Sequence, residues 1–202
     1  MKKIILILSV FAFALNLNAQ NFEGRIVFTI EYPKLPDPNM ASMLPTETNT
    51  YFKDGKSRFE MNMSMGMKNA TISDAATGTS VVLMEMMGQK YALTGAGEDA
   101  ESKKAADDTK VTISKETKKI AGYNCTKAVL EVPTKEGAPM SMEAWFTKDL
   151  KFNKGYAVGP LKKIDGTILQ YSIMQNGMEM KLTAKEVVKE KVAADKFVIP
   201  AD

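Results

Sequence analysis

The chain has 202 residues, with 27 basic side chains against 24 acidic ones, one cysteine and no histidine. Without histidine it lacks the usual general base of serine and cysteine nucleophiles, the commonest zinc ligand and the usual switch near neutral pH. The near balance of charge leaves no electrostatic footprint for nucleic acid or anionic lipid.

Lys2 and Lys3 precede an apolar run from Ile4 to Leu15, and Leu17-Asn18-Ala19-Gln20 closes the segment. This charged, apolar, small-residue order predicts a secretory signal peptide over 1–19, cut after Ala19, and the apolar run is too short to span a bilayer. No cysteine follows the cut to carry a lipid, and no later run is apolar enough to cross a membrane, so the expectation is a periplasmic or secreted protein without a stable membrane anchor. Residues 20–202 then suit one β-rich domain large enough to bury a core without disulfides. Cys125 has no intramolecular partner, and free cysteine is among the most buried residue types.

From Asn21 the chain alternates. Phe22, Gly24, Ile26, Phe28, Ile30 and Tyr32 share one face of a strand that Pro33, Pro36 and Pro38 end. Asp37-Pro38 suits the start of a short helix, whose Met40, Met43 and Leu44 are placed as a flap over the sheet. Thr48 to Lys53 and the segment from Lys56 flank Asp54-Gly55, a strong hairpin turn. From Arg58 to Met67, Phe59, Met61, Met63, Met65 and Met67 alternate with polar residues, a row of thioethers on one strand face. Strands are also predicted over Ala70–Asp74, Ser80–Met87 and Lys90–Thr94, with Val82, Met84 and Met86 on one face of the second.

Gly95 to Lys110 has no large apolar residue and mixes both charges, so 95–110 is predicted as an exposed, mobile loop. Beyond it come strands at Val111–Lys119 and Asn124–Val132. In the next, Met140, Met142, Ala144 and Phe146 alternate with polar residues and Trp145. The region 148–163 is irregular, Thr167–Gln175 and Met178–Lys191 form a hairpin about Asn176-Gly177 with Met178 and Met180 on one face, and Phe197–Ile199 dock the end of the chain. Ten or eleven strands joined by short turns make a mainly β protein: a strongly curved antiparallel sheet, a half-open barrel, with the segments after Pro33 and after Lys148 as short covering helices or loops.

Three passages, ETKKIAGYNCTKA (Glu116 to Ala128), EAWFTKDL (Glu143 to Leu150) and DKFVIP (Asp195 to Pro200), together resemble a periplasmic domain-of-unknown-function family marked by an Ile-x-Gly-Tyr-x-Cys passage. That family is similar, more distantly, to the lipoprotein carriers LolA and LolB. The resemblance implies a half-open barrel whose concave side is plugged by helices and receives acyl chains, and it implies no catalytic residue.

Methionine is flexible and polarizable and suits surfaces that accept varied apolar partners. Met61, Met63, Met65, Met84, Met86, Met140, Met142, Met178 and Met180 are therefore the candidate lining of a site for an apolar small molecule, a lipid or a lipidated protein; ordinary core packing is the plainer use of the same residues. Thioethers also select Cu(I) and Ag(I), and residues two apart on a strand lie about 6.5–7 Å apart, so Met61, Met63, Met65 and Met67 form the alternative, a soft-metal site. A third reading is an envelope module that binds protein through a sheet edge or the loop 95–110. No enzyme is expected, nor a cofactor: the paired acids Glu98-Asp99 and Asp107-Asp108 fall in the loop, and Gly95-Ala96-Gly97 lacks the third glycine of a phosphate loop and a predicted helix after it.

Overall fold

The computed structural model describes residues 22–35, 37–63, 66–94, 100–134, 137–150, 157, 159–175 and 178–199. The predicted signal peptide, Met65 and the Asn176-Gly177 turn lie outside these residues.

Eleven strands form one antiparallel sheet: β1 (Gly24–Glu31), β2 (Glu47–Lys53), β3 (Lys56–Asn62), β4 (Lys68–Asp74), β5 (Thr79–Met86), β6 (Gln89–Thr94), β7 (Lys110–Ile120), β8 (Tyr123–Val132), β9 (Met140–Thr147), β10 (Thr167–Gln175) and β11 (Met178–Lys189). Their order is β6-β5-β4-β3-β2-β1-β11-β10-β9-β8-β7. Two meanders therefore meet where the first strand pairs with the last, and β6 and β7 remain as open edges. Tight turns follow from residues that reach positive φ. Asp54-Gly55 (φ 47° and 79°) closes β2 on β3, and Ala121-Gly122 (48° and 86°) closes β7 on β8.

The sheet is curved. β7 touches β11 although three strands lie between them in the sheet order, and one buried cluster unites Met61 of β3 with Phe28 of β1, Met180 and Leu182 of β11 and Leu169 of β10. A single broad sheet with an apolar face has to roll in this way to remove that face from water. Phe28 and Tyr171 meet edge to face at 6.1 Å inside the roll.

Three expectations are corrected. The predicted loop 95–110 carries a helix, α1 (Ala100–Asp108). Alanine, lysine and glutamate are strong helix formers, and Ala106 is buried while Ala105 packs with Leu161 and Ile164. β6 ends at one rim of the sheet and β7 begins at the other, so this connection has to travel along the strands, and α1 does so against β8 and the 3-10 turn Gly159–Lys163. Together they cover Ala128, Leu130, Ala144 and Phe146. The Lys163 ammonium donates to the carbonyls of Asp107 and of Thr109 (2.7 Å to the latter), which ties the two covering pieces together.

The expected flap after Pro33 is the second. Asp37 caps a 3-10 turn, Pro38–Met43, through the Asn39 N–H, but Met40 and Met43 face solvent rather than the sheet. The third is the methionine row. β3 ends at Asn62, and Gly66 at φ 73° turns the chain, so Met63 and Met67 belong to the β3–β4 connection and not to the strand. Alternation in the sequence outruns the ladder.

The chain's end docks on the opposite face of the sheet. Val192 and Phe197 pack on Ile72, with Tyr51 and Leu83 around them. Arg58 donates to the Lys196 carbonyl at 2.9 Å, and the Lys196 ammonium sits 4.0 Å over the Tyr51 ring and 3.3 Å from Glu60.

Candidate functional site

Residues paired across an antiparallel ladder project to the same face, so the register assigns each methionine a side. Thr48 pairs with Phe28, and Phe28 with Ala184. Thr50 pairs with Phe59, and the same register sets Met61 beside Asn69, Asn69 beside Met84 and Met84 beside Tyr91. In the other meander Leu182 pairs with Tyr171, Met180 with Ile173, and Tyr171 with Ala144. Met61, Met84, Met86, Met140, Met142, Met178 and Met180 all fall on one face by this bookkeeping, the face that holds the buried cluster.

Strand direction adds a second constraint. β3, β5 and β10 end, and β4, β6, β9 and β11 begin, at the same rim. Every described methionine lies toward that rim: Met40 and Met43 in the β1–β2 connection, Met61, Met63 and Met67, Met84 to Met87, Met140 and Met142, Met174, Met178 and Met180. The opposite rim, with its Asp54-Gly55, Thr77-Gly78 and Ala121-Gly122 turns, has none. Burial grades along the set. Met61 and Met180 are core, Met63, Met67, Met84, Met142 and Met178 are half-buried, and Met86 and Met140 are exposed. Met87 is 92% exposed at a φ of 52°, which puts a large apolar side chain in water on a backbone conformation that suits glycine or asparagine.

Two open cavities adjoin this rim. One, of about 510 Å³, is lined by Met140, Met142, Trp145, Tyr171, Ile173 and Met174, with the charged Lys34, Glu143, Glu179 and Lys181 also on its wall. Of the sequence-based candidates it gathers Met140 and Met142; Trp145, Tyr171, Ile173 and Met174 were not among them. Burial pushes the Tyr171 phenol up to about 12, so it stays neutral, a group for packing rather than proton transfer. Trp145 is held by the Lys118 ammonium at 4.0 Å from its ring. Lys118 also donates to Gln170, whose amide donates to Thr183 at 2.7 Å. Burial lowers the pKa of Lys118. The second cavity, of about 600 Å³, lies against the docked C-terminal segment and includes Arg58, Glu60, Lys68, Leu83, Met84 and Lys90. Several of its charges are engaged with one another: Arg58 donates to Glu60 at 2.6 Å, Lys196 lies 3.3 Å from Glu60, and Lys68 lies 3.8 Å from Glu85.

Among the alternative metal set, the Met63 N–H donates to the Met67 carbonyl at 2.8 Å and closes the β3–β4 connection. Met61 lies inside the core at the end of β3, and Met84 shares its face two strands away. Among the described residues no group of three or more Cys, Asp or Glu side chains is arranged to hold a metal ion. Cys125 is buried, its thiol pushed up to about 11 by burial and directed to the Tyr123 carbonyl at 3.7 Å. Tyr123 and Ile120 pack in the same cluster, so Ile120 to Cys125 reads as a hairpin that packs rather than reacts.

This arrangement defines a class: an open antiparallel β-sheet protein whose apolar face is partly covered by a helix and a 3-10 turn. The chain belongs to DUF4412, a family described as a domain of unknown function, which matches residues 22–159. The match runs from β1 through β9; β10 and β11, which complete the sheet, lie beyond it. No match to the chain was found among curated proteins.

Proposed function

We propose that the protein is a noncatalytic binder or carrier of an apolar ligand, a lipid or a lipidated partner, held on the methionine-bearing face of its curved sheet outside the cytoplasm. One observation carries the reading: strand register puts seven of the eight described strand methionines on one face, Met174 being the exception, and strand direction gathers all the described methionines at one rim, with burial grading from core to solvent. A core alone has no use for Met86, Met87 and Met140 in water, since burying such a side chain is worth about 1.5–3 kcal/mol. A thioether lining accepts varied apolar shapes. The sequence resemblance to LolA and LolB supports the same reading, since it implies a concave apolar face that is covered by helices and receives acyl chains. The Lys2-Lys3 leader supports export.

The test is purification of the protein from its native envelope in mild detergent, with extraction and mass analysis of bound lipid, alongside titration with fluorescent acyl probes. Recovery of lipid near one per protein is the expected outcome. A protein that carries no lipid and binds no acyl probe refutes the reading.

A second reading is a Cu(I) or Ag(I) site at the β3–β4 connection, favoured by the Met63–Met67 hydrogen bond that closes the loop beside Met61. Anaerobic Cu(I) titration decides it: stoichiometry unchanged in a variant with Met61, Met63 and Met65 replaced by leucine removes the site.

A further inference from the structure

The two open edges of the sheet are not alike. β7 is broken by a bulge between Ile113 and Thr117 and carries Lys110, Lys115, Lys118 and Lys119, and it bends round to touch β11. A bulge, charge and curvature are devices that keep an edge from pairing with another chain. β6 has none of them beyond Lys90. It pairs with β5 in unbroken register from Gln89 to Thr94, contains no proline, and is exposed along its whole length. Of the eleven large apolar side chains exposed among the described residues, four stand on the β5–β6 hairpin: Met86, Met87, Tyr91 and Leu93. Apolar side chains gathered at one place on a surface mark it as an interaction site.

The hairpin also fixes which backbone groups are free. Met87-Gly88 is a two-residue turn with φ of 52° and 79°, the geometry that closes Met86 and Gln89 as a hydrogen-bonded pair. Bonded pairs alternate along an antiparallel ladder, so Tyr91 and Leu93 also turn their N–H and C=O groups to β5, while those of Lys90, Ala92 and Thr94 point outward. No described residue bonds to these outward groups.

A second copy of β6, run antiparallel with Ala92 opposite Ala92, answers all of them. Lys90 then faces Thr94 of the other copy, so no like charges meet. Tyr91 faces Leu93 on the methionine face, an aromatic–aliphatic pair made twice. Centring the pair on Tyr91 carries Thr94 past the start of the other strand, and centring it on Leu93 carries Lys90 past its end. A register shifted by one opposes outward groups to inward ones. The residue left on the axis, where two copies of one side chain meet, is alanine, the smallest in the strand.

We propose that β6 is the contact of an isologous dimer, in which two copies of this chain pair about a two-fold axis through Ala92 and normal to the sheet. Such an axis keeps the methionine faces of both copies on one side, with Met84 and Met86 of each flanking the junction. The contact is independent of what that face binds. One six-residue strand makes a small interface, so its dissociation constant is expected between about 1 μM and 1 mM.

Sedimentation over that concentration range should show the mass doubling. Ala92→Pro removes only an N–H that points outward, which an edge strand tolerates, and Ala92→Lys sets two ammonium groups together on the axis; both should stay monomeric with unchanged circular dichroism. In wild type at high concentration the amides of Lys90, Ala92 and Thr94 should exchange at least tenfold more slowly than in Ala92→Lys, while those of Tyr91 and Leu93 match. Disulfide trapping in a Cys125→Ala background tests the register. Opposed bonded residues lie about 5.5 Å apart between Cα atoms, within disulfide reach. Ala92→Cys alone should therefore link copy to copy, Lys90→Cys alone should not, and Lys90→Cys with Thr94→Cys should. A wild type that stays monomeric up to about 1 mM, or whose β6 amides slow only when a different protein is added, overturns the dimer. Equal cross-linking by Lys90→Cys and Ala92→Cys, or dimers that persist in Ala92→Lys, overturns the assignment to β6.

Discussion

Single residues mark where the chain departs from what folding alone favours. Met87 is the sharpest case, with a side chain in water on a backbone in the left-handed region, which costs a side-chain-bearing residue about 1–2 kcal/mol. Met87→Gly should therefore raise the stability by about 1 kcal/mol in chemical denaturation while weakening acyl-probe binding; a destabilised variant would mean that Met87 packs in a way its exposure does not suggest. Cys125 departs in the other direction. Burial raises its thiol pKa from about 9 to about 11, so the folded state holds this proton more tightly than the unfolded chain does. Its contribution to stability is intact below pH 9, is lost as pH rises from 9 toward 11, and overlaps the loss from the raised Tyr171 phenol. Denaturation midpoints of the wild type should fall over that window, and Cys125→Ala should flatten its lower part. Disulfide reagents at pH 8 should leave the native thiol untouched and label it only on unfolding.

At the scale of elements, the last segment is held by few contacts and one of them titrates. Glu23 accepts from Lys53 at 2.7 Å and from the Val192 N–H at 2.8 Å, and these bonds, Lys53 first, hold its carboxyl below the usual range. A lowered carboxylate pKa stabilises above the unfolded value near 4.5 and ceases to do so as pH falls through the folded one. Amide exchange at Val192 should accelerate below about pH 4.5, and Glu23→Gln should show the same acceleration at pH 7; protection equal to wild type in that variant would show that the Phe197 contact alone anchors the segment. Elements also show what a sequence reveals. Strands with an exposed side were legible because Ile26, Phe28 and Ile30 alternate with polar residues, and Asp54-Gly55 marked its hairpin directly. The row Arg58–Met67 was overread because alternation persists through Met63 and Met67 after the ladder has ended at Asn62. Helix α1 was missed because, among its described residues, those that pack on the sheet are alanines, and alanine in a charged run looks like solvated chain. The confinement of methionine to one rim became visible only once strand directions were known.

Across the whole molecule, stability is concentrated at the seam where the two meanders join. Leu182 on β11 faces Ile30 on β1 and is wholly buried, so Leu182→Ala should cost about 2–5 kcal/mol. Exposed ion pairs beside the seam, such as Lys185 on β11 with Glu47 on β2 at 3.1 Å, should each contribute under about 1 kcal/mol. A Leu182→Ala variant no less stable than one with Lys185 replaced by alanine would place the main core elsewhere. The seam has another consequence, one of timing. β1 is the first strand of the sheet to be made and β11 the last, so β1 holds one edge vacant until nearly the whole chain has been synthesised. Contacts this distant in sequence form slowly, and a nascent chain would carry that vacant apolar edge throughout its elongation. A protein built this way is suited to being kept unfolded until its final residues are available, and it is most exposed to aggregation in the interval before its two ends meet.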